Sequence, residues 1–138
     1  MTRRESREAA FRIVFGAAIN LADADESLIL AKEAKDPKTD GFSENLVRTV
    51  YNHRQEIDER FKPFLKSWSI ERISKIALAV LRISCAQLFY WSEITGQDEE
   101  LSERIVINEA VELAKQYGTD EDYSFVNGVL GSIVRSNV

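Results

Sequence analysis

The segment IERISKIALAVLRISCAQLFYW, residues 70–91, is the most apolar in the chain, and its reading decides the architecture. Ile73, Ile76, Ala77, Val80, Leu81, Ser84, Leu88 and Trp91 recur at three- and four-residue intervals, the spacing of one helical face. Leu78, Ile83, Cys85 and Phe89 supply a second apolar face, so this helix is expected to be central and covered by others. Trp68-Ser69 introduces the segment, and a bend is expected between a short helix and a longer one. The apolar run Ile76–Ile83 is interrupted by Arg82, which excludes a membrane-spanning helix of about 20 residues.

Outward from this segment the chain reads as further helices. With two prolines, six glycines and almost no period-two alternation, an all-α domain is favoured over a sheet. Thr2 and Glu5 have the spacing of a capping box for a first helix reaching Asn20. A short second helix, Glu26–Lys35, is stopped by Asp36-Pro37. Ser43 is the predicted cap of a third helix with Leu46, Val47, Val50, Tyr51, Ile57 and Phe61 inward, ending near Pro63. Beyond Gly96 and the acidic run from Asp98 to Glu103, the segment Ile105–Tyr117 turns Ile107, Ala110, Val111, Ala114 and Tyr117 inward and closes at Gly118 as a C′ glycine. The last helix buries Phe125, Val126, Val129, Leu130 and Ile133, with Gly128 expected at a close helix contact that Gly131 shares. The expectation is a compact single-domain bundle of about seven helices over residues 1–138, long enough to bury one sizeable core.

The first helix breaks its own pattern. At about 100° per residue, Phe11, Val14, Phe15 and Ala18 fall in one sector, Arg4 and Arg7 fall in the same sector, and Arg3 lies just outside it. A guanidinium cannot enter an apolar interior without a partner. The stripe is therefore expected to run off the edge of the core and offer its arginines to solvent, to protein carboxylates or to an anionic ligand. A net charge of −5 argues against a protein that grips nucleic acid with its whole surface, so any such binding must be local. The first twelve residues hold Arg3, Arg4, Arg7 and Arg12 against two glutamates, and the runs Asp98–Glu103 and Asp120–Asp122 are acidic, which predicts a polarised molecule.

Catalytic and metal signatures are missing from the sequence. The lone His53 has no cysteine or second histidine at ligand spacing and is expected on the surface of its helix. Cys85 lies in an apolar helix with nothing cationic beside it, which predicts an inert core thiol. No glycine-rich phosphate loop is present. The carboxylates of residues 98–103 read as a solvated loop, and those of residues 120–122 as charges favoured at a helix start. No cofactor or metal is expected. A single cysteine and the lack of a charged-then-apolar leader point to a reducing cytoplasm.

RRESRE at 3–8, Leu81-Arg82-Ile83, INEAVELAK at 107–115, Tyr117-Gly118 and FVNGVL at 125–130 follow one another in an order that resembles the NusB family of bacterial transcription antitermination factors along nearly the full chain. The last three motifs, at this spacing, also occur in the NusB-like domain of certain ribosomal RNA methyltransferases, but nothing here could house a methyltransferase domain. The resemblance implies a seven-helix RNA-binding fold without catalysis. It also implies recognition of the single-stranded boxA element of nascent ribosomal transcripts, together with the ribosomal protein NusE and the transcription elongation complex. Carried over residue by residue, it places RNA contacts at Arg3, Arg4 and Arg7, and partner contacts at Arg82, Gln87, Tyr90 and Trp91. Three departures bear on this: Glu5 and Ser6 lie between Arg4 and Arg7, where the family often carries a third basic residue. Ser124 stands where a basic residue is common, and Gln87 where the family usually has a glutamate on the face that docks NusE.

Two readings of the arginines stay open at this level. They contact RNA, with Tyr123 or Phe15 as candidate stacking partners, or they pair with acids of the last helices and tie down the N-terminus. A second function class also remains: a helical protein-interaction adaptor or homodimer, with an aromatic patch at Phe89, Tyr90 and Trp91 as its surface.

Overall fold

The computed structural model describes residues 1–20, 23–66, 68–96 and 99–136, with no account of the side chains of 18–20. Ala18 as a stripe residue and Asp98 as part of the acidic loop thus lie outside what is described. Among the described residues there are seven α-helices, one 3-10 turn and no strand. They are α1 (Arg3–Asn20), α2 (Ala24–Ala34), α3 (Gly41–Asn52), α4 (Arg54–Phe61), α5 (Lys75–Thr95), α6 (Glu103–Tyr117) and α7 (Asp120–Ser136), with the 3-10 turn at Lys62–Leu65.

Helix α5 is the axis of the bundle and packs against α1, α3, α4, α6 and α7. Its two apolar faces explain this: Ala77 to Ser84 through Leu78, Val80, Leu81 and Ile83 are all buried, as are Cys85 and Ala86, except for half-buried Arg82. Burial of this kind, at about 25 cal/mol per Å² of apolar surface, is what holds helices of this length together in water. The expected short helix before it is absent, because residues 69–73 form turns and Ser74 caps α5 by accepting from the Ala77 N–H. A bend does occur, but near the other end, where Tyr90 leaves helical geometry at φ −133°, ψ 34°.

The Thr2–Glu5 capping box is present, with each side chain accepting from the other residue's N–H. In α3 the capping roles are exchanged: Asp40 is the N-cap and Ser43 its reciprocal partner. The single third helix expected from the pattern is two helices, because His53 breaks it at φ −117°, ψ 17°. Val50, Ile57 and Phe61 still point inward across the break. His53 is no simple surface residue, since its ring stacks on Tyr90 at 4.0 Å and its Nε2 lies 2.9 Å from Glu93. On α6 the buried stripe is Val106, Ala110, Leu113 and Ala114, while Ile107 and Val111 are only half-buried.

Two glycines differ from expectation. Gly118 ends α6 in extended geometry, φ −117°, so it is not there for a left-handed turn; a Cβ would meet Asp122 Oδ2 at 2.5 Å and the Ala114 carbonyl at 2.9 Å. Gly128 is exposed on α7, and a Cβ there would meet nothing within 4 Å among the described residues, so it makes no close helix contact.

Candidate nucleic-acid interface

The start of α1 is fastened before any ligand is considered. Ser6 donates its hydroxyl to Asp40 Oδ2 at 2.6 Å, which ties the tip of α1 to the start of α3. Burial alone would raise the Asp40 pKa, but hydrogen bonds from Ser6 and from the backbone and hydroxyl of Ser43 outweigh it and hold the carboxyl below its usual value.

The three arginines share this tip but occupy different environments. Arg7 sits one turn before Phe11 on the buried stripe and is 5% exposed. Its Nε donates to Gln87 Oε1 at 2.6 Å, and Gln87 in turn donates to the Ile83 carbonyl at 3.0 Å. Burial pushes the Arg7 pKa down, with Glu109 and Glu99 opposing from beyond contact distance. Arg3 lays its guanidinium over the Phe42 ring at 4.2 Å and near Trp91 at 5.7 Å, and its Nη1 reaches Glu99 at 2.9 Å. Arg4 engages Glu109 of α6 through Nε and Nη2 at 3.0–3.2 Å, and this hydrogen bonding and charge raise its pKa. The Arg4 side chain nonetheless remains 68% exposed. Arg12 stands apart, bridged to Asp36 at 3.1 Å.

The polarity seen along the chain is therefore folded back on itself. Glu99 comes from the acidic stretch expected to be merely solvated, and Glu109 from INEAVELAK; both lie against the basic tip. An open groove of about 450 Å³ lies there, lined by Arg3, Arg7 and Trp91 together with Glu99, Glu100 and Ser102. Trp91 Nε1 is buried without a hydrogen-bond partner among the described residues, an arrangement that costs about 1–3 kcal/mol for a donor.

The four candidate partner residues do not form one surface. Arg82 makes a two-pronged pair with Asp58 at 2.8 and 3.0 Å, with both side chains mostly covered. Tyr90 donates its hydroxyl to Glu56 at 2.8 Å and stacks on His53, which places it on the α4–α5 face with Arg82. Gln87 is 2% exposed and faces Arg7, so it offers nothing to a partner directly. Trp91 packs edge-on against Phe42, beside the arginines. The expected aromatic patch is likewise divided, because Arg60 lies over Phe89 at 3.6 Å and His53 covers Tyr90. Phe15 stacks on Phe11 at 5.8 Å and Tyr123 lies beneath Lys115 at 5.1 Å, so neither ring reaches the tip.

Sequence reasoning missed Phe42, the aromatic platform of Arg3. Its one signal was an aromatic next to the Asp40–Ser43 capping box, which Ser6 joins to α1. Among the described residues no group of His, Cys, Asp or Glu could hold a metal ion, and burial pushes the Cys85 thiol far up.

Five described helices packed on a central α5, with α2 lying against α1 and α3, and basic side chains gathered at one tip define an all-α helical domain. The chain belongs to the NusB family, whose model matches residues 4–135. It is 36% identical over 141 residues to the transcription antitermination protein NusB of Macrococcus caseolyticus, covering 99% of this chain and 98% of that protein. Its fold is similar to T. maritima NusB, with a TM-score of 0.81 at 27% identity over 98% of this chain and 92% of that one. It is also similar to a chain in a crystal structure of the antitermination factors NusB and NusE in complex with dsRNA, with a TM-score of 0.80 at 26% identity over 97% of this chain and 96% of that one. No described helix is long and apolar enough to cross a membrane.

Proposed function

We propose that this protein is a transcription antitermination factor of the cytoplasm. It acts as one domain, binds the single-stranded boxA element of nascent ribosomal transcripts, and works by binding rather than catalysis. The observation that carries the reading is the tip of α1, where Arg3, Arg4 and Arg7 converge on an otherwise acidic protein and Arg7 is buried beside a neutral amide instead of an acid. Arg3 and Arg4 meet the RNA backbone by exchanging Glu99 and Glu109 for phosphates. Such an exchange is cheap, since exposed ion pairs are typically worth less than about 1 kcal/mol, whereas guanidinium–phosphate contacts are short, charge-assisted and forked.

NusE is the proposed partner within the transcription elongation complex. The α4–α5 face carrying Arg82 and Tyr90 is its docking surface, and Gln87 contributes only by holding Arg7. The test is titration of labelled boxA RNA with the protein alone and with NusE, at two salt concentrations. Tighter RNA binding with NusE present must be matched by tighter NusE binding with RNA present, by the same factor. Absence of any RNA binding in either state overturns the reading.

A further inference from the structure

Gln87 and Trp91 lie one turn apart on α5, and both meet the start of α1 through its arginines: Gln87 bonds Arg7, and Trp91 lies below Arg3 and against Phe42. Three features of this corner are not explained by packing. Arg7 is 5% exposed, yet its side-chain hydrogen bond goes to a neutral amide, and no carboxylate of the described residues pairs with it. Trp91 Nε1 is buried with no acceptor among the described residues. The open groove of about 450 Å³ touches both residues, and the Arg3–Glu99 bridge forms part of its wall.

We propose that this groove is a single-nucleotide site, in which Arg3 and Arg7 hold one phosphate of a bound single-stranded RNA and Trp91 selects the attached base through its ring and its Nε1–H. The inference rests on the RNA-binding reading above and deepens it by naming a residue that reads the base rather than positions the backbone. A phosphate supplies the anion that buried Arg7 lacks. A base carbonyl or ring nitrogen supplies the acceptor that Trp91 lacks once the indole, whose Nε1 is closed to solvent in the free protein, turns toward the groove, and aromatic and guanidinium planes are the surfaces on which unstacked bases rest. The volume falls in the range of small-ligand pockets. Glu99 occupies the anion position in the free protein and leaves Arg3 when phosphate enters. Tyr90, the neighbouring aromatic, is already engaged by His53 and Glu56 and takes no part.

The chain has two tryptophans, so Trp68→Phe leaves Trp91 as the sole indole reporter. Titrating that variant with a boxA oligoribonucleotide should change Trp91 emission with the same midpoint as the anisotropy of labelled RNA. Trp91→Phe keeps a ring but removes the donor. It should lose roughly 3- to 10-fold in affinity, the worth of one hydrogen bond, with an unchanged salt slope because no phosphate contact is removed. It should also discriminate less between boxA and a scrambled oligonucleotide. Glu99→Gln should bind more tightly than Glu103→Gln, which makes the same charge change without lining the groove. If Trp91→Phe folds poorly by circular dichroism, the emission titration of the Trp68→Phe protein decides alone. Silent Trp91 emission, or wild-type affinity and discrimination in folded Trp91→Phe, overturns the nucleotide site while RNA binding itself stands. If the wild-type protein binds no RNA, the functional reading and the site fall together.

Discussion

Arg4 separates a binding role from a structural one most cleanly, because it is paired and yet largely exposed. Its guanidinium grips Glu109 through two nitrogens, but the side chain stays 68% open to solvent. Removing it should hardly move the melting temperature. If Arg4 neutralises one phosphate of a single-stranded RNA, Arg4→Ala should flatten the plot of log affinity against log salt by about 0.7. Between roughly 50 and 200 mM salt, the mutant's affinity would then fall about 2.6-fold less than the wild type's. For three arginines acting together the combined slope is about 2.1, or roughly 18-fold over the same interval. The assay is fluorescence anisotropy of an end-labelled boxA oligoribonucleotide at five or more salt concentrations, beside a thermal melt in each buffer. Glu109→Gln removes the competing carboxylate and leaves Arg4 in place, so it should bind RNA more tightly than wild type. An unchanged slope in Arg4→Ala, with Glu109→Gln binding no better, would show that the Arg4–Glu109 pair is the whole role of this arginine.

Arg7 should behave oppositely: Arg7→Ala is expected to cost about 1–3 kcal/mol in urea unfolding, because it leaves buried Gln87 Oε1 without its donor. The double variant Arg7→Met, Gln87→Leu should recover much of that loss, since two apolar groups leave nothing unsatisfied. Gly118→Ala should destabilise, its Cβ meeting the Ala114 carbonyl at 2.9 Å, whereas Gly128→Ala, in open space on a helix, should stabilise by about 0.5–1 kcal/mol; urea midpoints of the two variants check the opposite signs. Asp40→Ala should cost about 0.5–2 kcal/mol at neutral pH as a lost N-cap. The folded-state pKa of Asp40 is lowered, so this contribution is full above the ordinary carboxylate value near 4 and disappears as pH falls through the lower folded value, which a series of melts from pH 7 down to pH 2 would trace.

The bundle was readable because its signals are local and periodic. The covered faces of α5, the Thr2–Glu5 box and the cluster of acids starting α7 all depend on residues within a few positions of each other. What escaped was set by distant contacts or by near-degenerate choices. No proline or glycine marks the break at His53, and apolar spacing continues through it; the break coincides with a ring stack on Tyr90 and a contact with Glu93. Asp40 and Ser43 are both good caps three residues apart, and the reciprocal bonds of a capping box make either order plausible from sequence. Gly118 was correctly singled out for the wrong reason: room, not a left-handed backbone, is what it supplies.

The same division runs through the site. Arginines in an apolar sector are visible in a list of residues, but their partners lie 96 and 105 positions away and become neighbours only when α6 and the loop before it close over α1. That closure gives the acids a specific consequence for the proposed RNA contact. A bare cluster of three guanidiniums would attract any polyanion by charge alone, with a strength that sequence does not tune. Two of the three are instead occupied by carboxylates in exposed, exchangeable pairs, and the third is buried with its orientation held by Gln87. A passing phosphate must therefore displace an acid to be held. Only a ligand that engages several positions at once, and satisfies Arg7 among them, recovers what each exchange costs. The acidic groups thus weaken indiscriminate binding at every position while leaving multipoint recognition possible, which is how a protein of net charge −5 can be selective for one RNA rather than merely repelled by all.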